Sequence, residues 1–169
     1  MIDGYATEDA TEAFAQQHHP LSAANIGTTG LTVSRAGFGC YRTSTGVAHH
    51  KSALQKALCE GINLIDTSSN YAGGGSESLV GEVLENLTAS GDLSREQIVV
   101  VSKVGYLQGQ NYELSRERKQ EGRPFPELVE CGEGLEHCIH PEFLLDQLNR
   151  SLERLKLKTL DFYLLHNPE

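Results

Sequence analysis

Apolar positions along this chain follow two rhythms, short runs of β-branched or aliphatic residues and longer stretches with a helical stripe. Leu31 and Val33 alternate with polar neighbours around the turn signal Thr29-Gly30 and lead into Ala36-Gly37-Phe38-Gly39-Cys40, which predicts a hairpin followed by a first buried strand. Ala53, Leu54, Ala57 and Leu58 share one helical face, with Gly61 where a left-handed cap is needed. Ile62 to Asp66 reads as a strand. Three glycines, Gly73 to Gly75, precede a helix that Ser76 can cap and whose stripe is Leu79, Val80, Val83, Leu84 and Leu87. Gln97 to Lys103 carries the unbroken run Ile98-Val99-Val100-Val101, a pattern that fits a strand buried on both faces. Pro141 then opens a helix bearing Phe143, Leu144, Leu145, Leu148, Leu152 and Leu155, and Leu160 to His166 is the next strand. The alternation β-α-β-α-β-α-β demands parallel strands joined by crossover helices.

Two segments stand outside this rhythm. Residues 1–24 are polar, with Thr7 as a helix cap, Glu8 and Asp9 in the first turn and Pro20 as a stop, and they read as a polar leader that is either a short helix or mobile. Residues 105–140 are polar, contain glycines and prolines, and sustain neither period, so they read as an insertion over the functional face. Residues 25–169, with this insertion at about 105–140 inside them, are expected to be one domain.

Composition narrows the partners. A net charge of -9 leaves no basic surface for nucleic acid or an anionic membrane. A bound nucleotide remains compatible with that charge, because local N–H groups outweigh a screened, distant field. No secretory leader or membrane-spanning stretch is readable, and the four cysteines form no disulfide pattern, which points to the cytoplasm or an organelle stroma.

Ligands of parallel sheets bind where strands end at their carboxyl side. Here Asp66, Lys103 and His166 end successive strands, and Tyr71 lies in the loop after the second. Each has an ordinary reading as a cap, a snorkelling amine, a packed aromatic or a core histidine. Together on one rim they suit carbonyl reduction, which needs a proton donor beside a developing alkoxide. A phenol gives up its proton more readily beside an ammonium, so Lys103 would assist Tyr71 while Asp66 keeps the lysine charged. His166, as a neutral imidazole donor, would orient the substrate oxygen.

The segment Gly61-Ile62-Asn63-Leu64-Ile65-Asp66-Thr67-Ser68-Ser69-Asn70-Tyr71, with Ser76-Glu77 and Val80-Gly81 beyond it, resembles the aldo-keto reductase signature. The likeness extends to Thr29-Gly30-Leu31-Thr32-Val33-Ser34, to Gly37-Phe38-Gly39 and to Val101-Ser102-Lys103. It continues through Ser151-Leu152-Glu153-Arg154-Leu155 and Asp161-Phe162-Tyr163-Leu164-Leu165-His166. It implies a (β/α)8 TIM barrel of which about the first four β/α units are present, behind an N-terminal hairpin. It further implies a catalytic tetrad of Asp66, Tyr71, Lys103 and His166, and a cofactor, NADP with NAD as the alternative, near Gly39, Cys40, Tyr41 and Asp66. Cys40 stands where the family often has threonine, and Tyr41 reads equally as a pocket wall or a rim aromatic.

The expected substrate is a small carbonyl compound, or a sugar or other alcohol in the reverse direction. A complete barrel needs eight strands and about 250 residues. A chain ending at Glu169 is thus expected to be inactive alone, to expose apolar faces and two unpaired edges, and to self-associate. A rival reading is a non-catalytic binding or regulatory subunit. A metal site from Cys131, His137, Cys138 and His140 is a weaker rival, because the spacing matches no usual ligand pattern. The pairs His18-His19 and His49-His50 read as solvated, and the glycines after Tyr71 lack a phosphate-loop pattern.

Overall fold

The computed structural model describes residues 1–18 and 21–168. His19 and Pro20, the latter read as a helix stop, lie outside the described residues, as does Glu169. Helix α1 (Glu8–Gln17) is capped by Thr7, whose hydroxyl accepts from the Ala10 N–H. Its buried face is Thr11 and Phe14. Strands β1 (Ala23–Asn25) and β2 (Thr32–Ser34) pair antiparallel as the expected hairpin.

Four parallel strands follow: β3 (Phe38–Gly39), β4 (Leu64–Asp66), β5 (Val99–Val104) and, last in the chain, β9 (Phe162–Leu165). They lie side by side in the order β3-β4-β5-β9, so neighbours in space follow chain order through the sheet. The crossovers are α2 (Ala48–Cys59), α3 (Gly75–Ser90) and α5 (Pro141–Leu155), with Pro141 in the first turn as its fixed φ favours. Alternate strand residues point to opposite faces. Ile65 and Val100 enter a core shared with Leu54, Leu58, Leu79, Val83, Leu84 and Leu155 of the helices. Leu64, Val99, Val101 and Phe162 pack instead with Val33 and Leu31 of the hairpin.

Two local readings need correction. Ser76 does not cap α3, because the helix begins at Gly75 behind a left-handed Gly74. Ser76 is buried, pairing with Thr67 Oγ1 at 2.7 Å and donating to the Cys40 carbonyl at 3.1 Å. The first strand is shorter and less buried than its sequence suggests, with Gly39 exposed. Gly61 does take the left-handed conformation after α2, at φ 106°.

Residues 105–140 fold into β6 (Tyr106–Leu107), α4 (Gln110–Gln120), β7 (Val129–Gly132) and β8 (Leu135–His137), the strands forming an antiparallel sheet in the order β6-β8-β7. Helix α4 shows no apolar stripe because its inner face is polar. Ser115 donates to the buried Glu136 at 2.5 Å, and Lys119 reaches the same carboxylate at 2.6 Å. Edge-to-face stacking of Phe125 on Phe143, at 5.1 Å, docks this unit on α5.

Helices α3 and α5 lie close together at Gly81, where an added Cβ would lie 2.4 Å from the Arg154 carbonyl oxygen. Alanine there gains up to about 1 kcal/mol of helix propensity. The overlap is with backbone, however, and overpacking costs about 1–3 kcal/mol. Gly81→Ala is therefore expected to lower the midpoint of urea unfolding, and Gly81→Val to lower it further.

Candidate active site

Asp66, Lys103 and His166 stand at the carboxyl ends of β4, β5 and β9. The parity of each strand turns them to the face that carries Leu64, Val101 and Phe162, away from the helices. On the opposite parity, Ser102 donates to the fully buried Glu77 of α3 at 2.5 Å, and Arg154 Nε of α5 donates to the same carboxylate at 2.7 Å. This ion-paired contact fixes the rotation of β5 and thereby the direction of Lys103. The loop between β4 and α3 brings in Tyr71. Its short turn, Tyr71–Gly74, runs through left-handed angles at Ala72, Gly73 and Gly74, and a Cβ at Gly74 would meet Arg154 Cδ at 2.8 Å. The glycines thus shape the turn that returns the chain from Tyr71 to α3.

Lys103 Nζ is the hub. It donates to the Asp66 carboxylate, to the Thr67 carbonyl at 2.9 Å and to the Tyr71 hydroxyl at 3.3 Å. Its ammonium also lies 4.8 Å from the centre of the Tyr71 ring. The lysine side chain is 15% exposed and that of Asp66 is 46% exposed, so the pair sits at the mouth of the sheet. Of the two Asp66 carboxylate oxygens, only Oδ1 accepts a hydrogen bond from the described residues.

His166 closes the rim, its ring 5.9 Å from that of Tyr71. Its N–H donates to the Val104 carbonyl at 2.7 Å, extending the pairing of β9 by one residue. Burial, and then the Lys103 charge, hold its pKa below the ordinary 6.5, which favours the neutral imidazole. Tyr106 meets the imidazole edge-to-face at 5.1 Å and opens onto a cleft of about 320 Å³ lined by Val129, His137 and Ile139.

The first-strand residues are placed differently from one another. Gly39 faces open space, with no atom within 4 Å of where a Cβ would be. Tyr41 is exposed and meets Tyr71 edge-to-face at 5.2 Å. Cys40 is wholly buried, its N–H donates to the Asp66 carbonyl at 2.8 Å, and burial pushes its thiol up to about 11. That thiol stays protonated in the helix-side core.

The four residues weighed as metal ligands have other partners or none in common. Cys138 contacts the Pro126 carbonyl, His137 Nε2 the His166 carbonyl, and His140 caps α5, while Cys131 is exposed. Among the described residues no three histidine, cysteine or carboxylate side chains converge as a metal site. Sequence reasoning missed Ser68, Asn70 and Gln108 as neighbours of the rim, and no residue pattern joins Gln108 to the other two.

Comparison with known proteins shows the family. The model of the aldo/keto reductase family matches residues 36–169. The NADH-specific methylglyoxal reductase of Escherichia coli is 33% identical over 150 residues, covering 83% of this chain and 40% of that protein. L-galactose dehydrogenase of Arabidopsis thaliana is 32% identical over 130 residues, covering 73% of this chain and again 40% of the relative. Among solved structures, the holo form of an aldo-keto reductase from Bacillus halodurans superimposes with a TM-score of 0.65 at 26% identity, covering 86% of this chain and 40% of the other. The chain spans about 40% of the length of these relatives. Its parallel sheet with crossover helices is the corresponding part of their TIM barrel. With the family model covering everything from β3 onward and the hub at Lys103 in place, the chain belongs to the aldo/keto reductase family.

Proposed function

We propose that this rim performs the proton-transfer side of a nicotinamide-dependent reduction of aldehydes or ketones to alcohols, with Tyr71 as proton donor. The observation that carries the reading is the simultaneous contact of Lys103 Nζ with the Asp66 carboxylate and the Tyr71 hydroxyl. A positive charge against the phenol stabilises the phenolate left when the proton moves to the substrate oxygen. Asp66 holds the ammonium in place, and the Thr67 carbonyl fixes its direction. His166 faces the same rim and lies beside the substrate oxygen.

The residues present fit the nicotinamide end of a dinucleotide. Open space over Gly39, the free oxygen of Asp66 and the exposed ring of Tyr41 offer room, an acceptor for a ribose hydroxyl and an apolar wall. Cys40 contributes by holding that turn rather than by contact. The bound nicotinamide supplies the hydride. NADPH is the family's usual partner, and the E. coli relative is by name NADH-specific, so both belong in the assay. The substrate class is a small carbonyl compound, or a sugar or alcohol in reverse, admitted along the cleft beside His166.

No helix among the described residues is long and apolar enough to cross a membrane. The free cysteines support a reducing compartment, the cytoplasm or a stroma. Among the described residues, β3 and β9 each have one strand neighbour, and Leu164 and Leu165 of β9 are each 44% exposed. The isolated chain is expected to self-associate through this flank. Sedimentation showing only monomer at tens of micromolar, about the range where such contacts act, opposes that.

The isolated chain is expected to be inactive, so the test of the activity is oxidation of NADPH or NADH with methylglyoxal or an aromatic aldehyde by a complete barrel that contains it, as wild type and as Tyr71→Phe. Turnover that depends on the phenol supports the reductase. Turnover indifferent to Tyr71, or none in the wild type, favours a binding or regulatory subunit that retains the rim.

A further inference from the structure

We propose that Gln108, Asn70 and Ser68 form a hydrogen-bond relay that holds His166 as its Nδ1–H tautomer, which makes them positioning residues for the histidine. The relay itself is independent of the reductase reading, and only its consequence for substrate rests on that reading.

The relay begins at the surface. Asn70 Nδ2 donates to Gln108 Oε1 at 3.1 Å, which turns the Asn70 amide so that its Oδ1 faces inward. Ser68 Oγ donates to that Oδ1 at 2.6 Å. A hydroxyl has a single proton, and this is its shortest contact. The other neighbours of Ser68 Oγ are the Lys103 carbonyl oxygen and His166 Nδ1, both at 3.3 Å. With its proton committed to Asn70, the serine oxygen meets Nδ1 as an acceptor. Nδ1 must then carry the hydrogen, and Nε2 keeps the lone pair.

The surroundings keep the ring in reach of Ser68. The His166 N–H is tied to Val104, its carbonyl accepts from His137 Nε2 at 2.8 Å, and the Tyr71 and Tyr106 rings flank the imidazole. The charged and titratable groups facing it are Asp66 from β4, Lys103 from β5, His137 from β8 and these two tyrosines. In this tautomer the neutral ring accepts a hydrogen bond at Nε2 from an alcohol and has no proton there for a carbonyl. Only the imidazolium donates to a carbonyl oxygen. On this proposal the neutral donor expected from sequence gives way to a group whose preference changes with its protonation.

The experiment is long-range proton–nitrogen NMR on the full chain with nitrogen-labelled histidine, above the His166 titration and without substrate. In the wild type the proton is expected on Nδ1. Gln108→Lys presents only donors, so it turns Asn70 Oδ1 outward, sets Asn70 Nδ2 against Ser68 and frees the serine proton for Nδ1. The two ring-nitrogen shifts are then expected to exchange places. Gln108→Glu keeps an acceptor and is expected to match the wild type. Gln108 is exposed, so both variants leave the core intact. A wild-type proton on Nε2, or a tautomer unmoved by Gln108→Lys, overturns the relay. Failure of the reductase reading shows separately, in turnover indifferent to Tyr71→Phe.

Discussion

In a complete barrel that contains this chain, replacing Tyr71 with phenylalanine is expected to lower the turnover of carbonyl reduction by about 10²- to 10⁴-fold, the range seen when a positioned general acid is removed. The ring is conserved, and with it the edge-to-face contact with Tyr41, the proximity to His166 and the Lys103 ammonium over the ring. What disappears is one hydroxyl, 3.3 Å from a cation that the Asp66 carboxylate keeps in place. An interaction used only as the alkoxide takes its proton affects kcat and leaves ground-state binding almost untouched. KM for the carbonyl is accordingly expected to change by less than about threefold, within the scatter of a uniform-binding effect. A fall in kcat smaller than about tenfold would assign proton delivery elsewhere, since general acids contribute at least about a hundredfold.

The rim was legible because its residues obey a positional rule. Asp66, Lys103 and His166 end strands whose apolar runs are readable one by one, and a parallel sheet sends strand ends to a single mouth. The period of two then decided which face they share. The motifs Ser76-Glu77, Val101-Ser102 and Ser151 to Leu155 were visible as a likeness, but their physical task was not. Glu77, Ser102 and Arg154 form one buried contact across three elements, and nothing local in any of the three segments announces the other two. Ser76 looked like a cap for the same reason. Its type suits an N-cap, yet the left-handed Gly74 ends the turn earlier and Ser76 goes into the core. Residues 105–140 were opaque as structure because α4 turns Ser115 and Lys119, rather than an apolar stripe, toward its support. Gln108 belongs to that unit, so its link to Ser68 and His166 could come only from coordinates.

Asp161→Ala is expected to destabilise the chain by about 3–5 kcal/mol, the cost of stranding a buried charge. Asp161 precedes β9, its side chain 3% exposed, and pairs at 2.8 Å with Arg95, whose side chain is 2% exposed. The carboxylate also accepts from the Val100 N–H of β5 and from the Ala6 N–H ahead of α1, each at 2.7 Å. One side chain therefore ties the N-terminal segment, the start of β5 and the start of β9 to the guanidinium. Removing it leaves two backbone N–H groups unpaired. It also leaves Arg95 only the Ile98 and Thr159 carbonyls, at 2.5 and 3.2 Å, while Arg95 Nε already lacks a partner among the described residues. Urea unfolding followed by circular dichroism measures the loss, which is a large share of the roughly 5–15 kcal/mol that holds an ordinary domain together. Adding Arg95→Met is expected to recover the part due to the uncompensated cation and not the part due to the two N–H groups. A loss below about 1 kcal/mol for Asp161→Ala, the value of a solvated surface pair, would mean that water reaches this corner of the sheet and that β5 and β9 are aligned by their ladder alone.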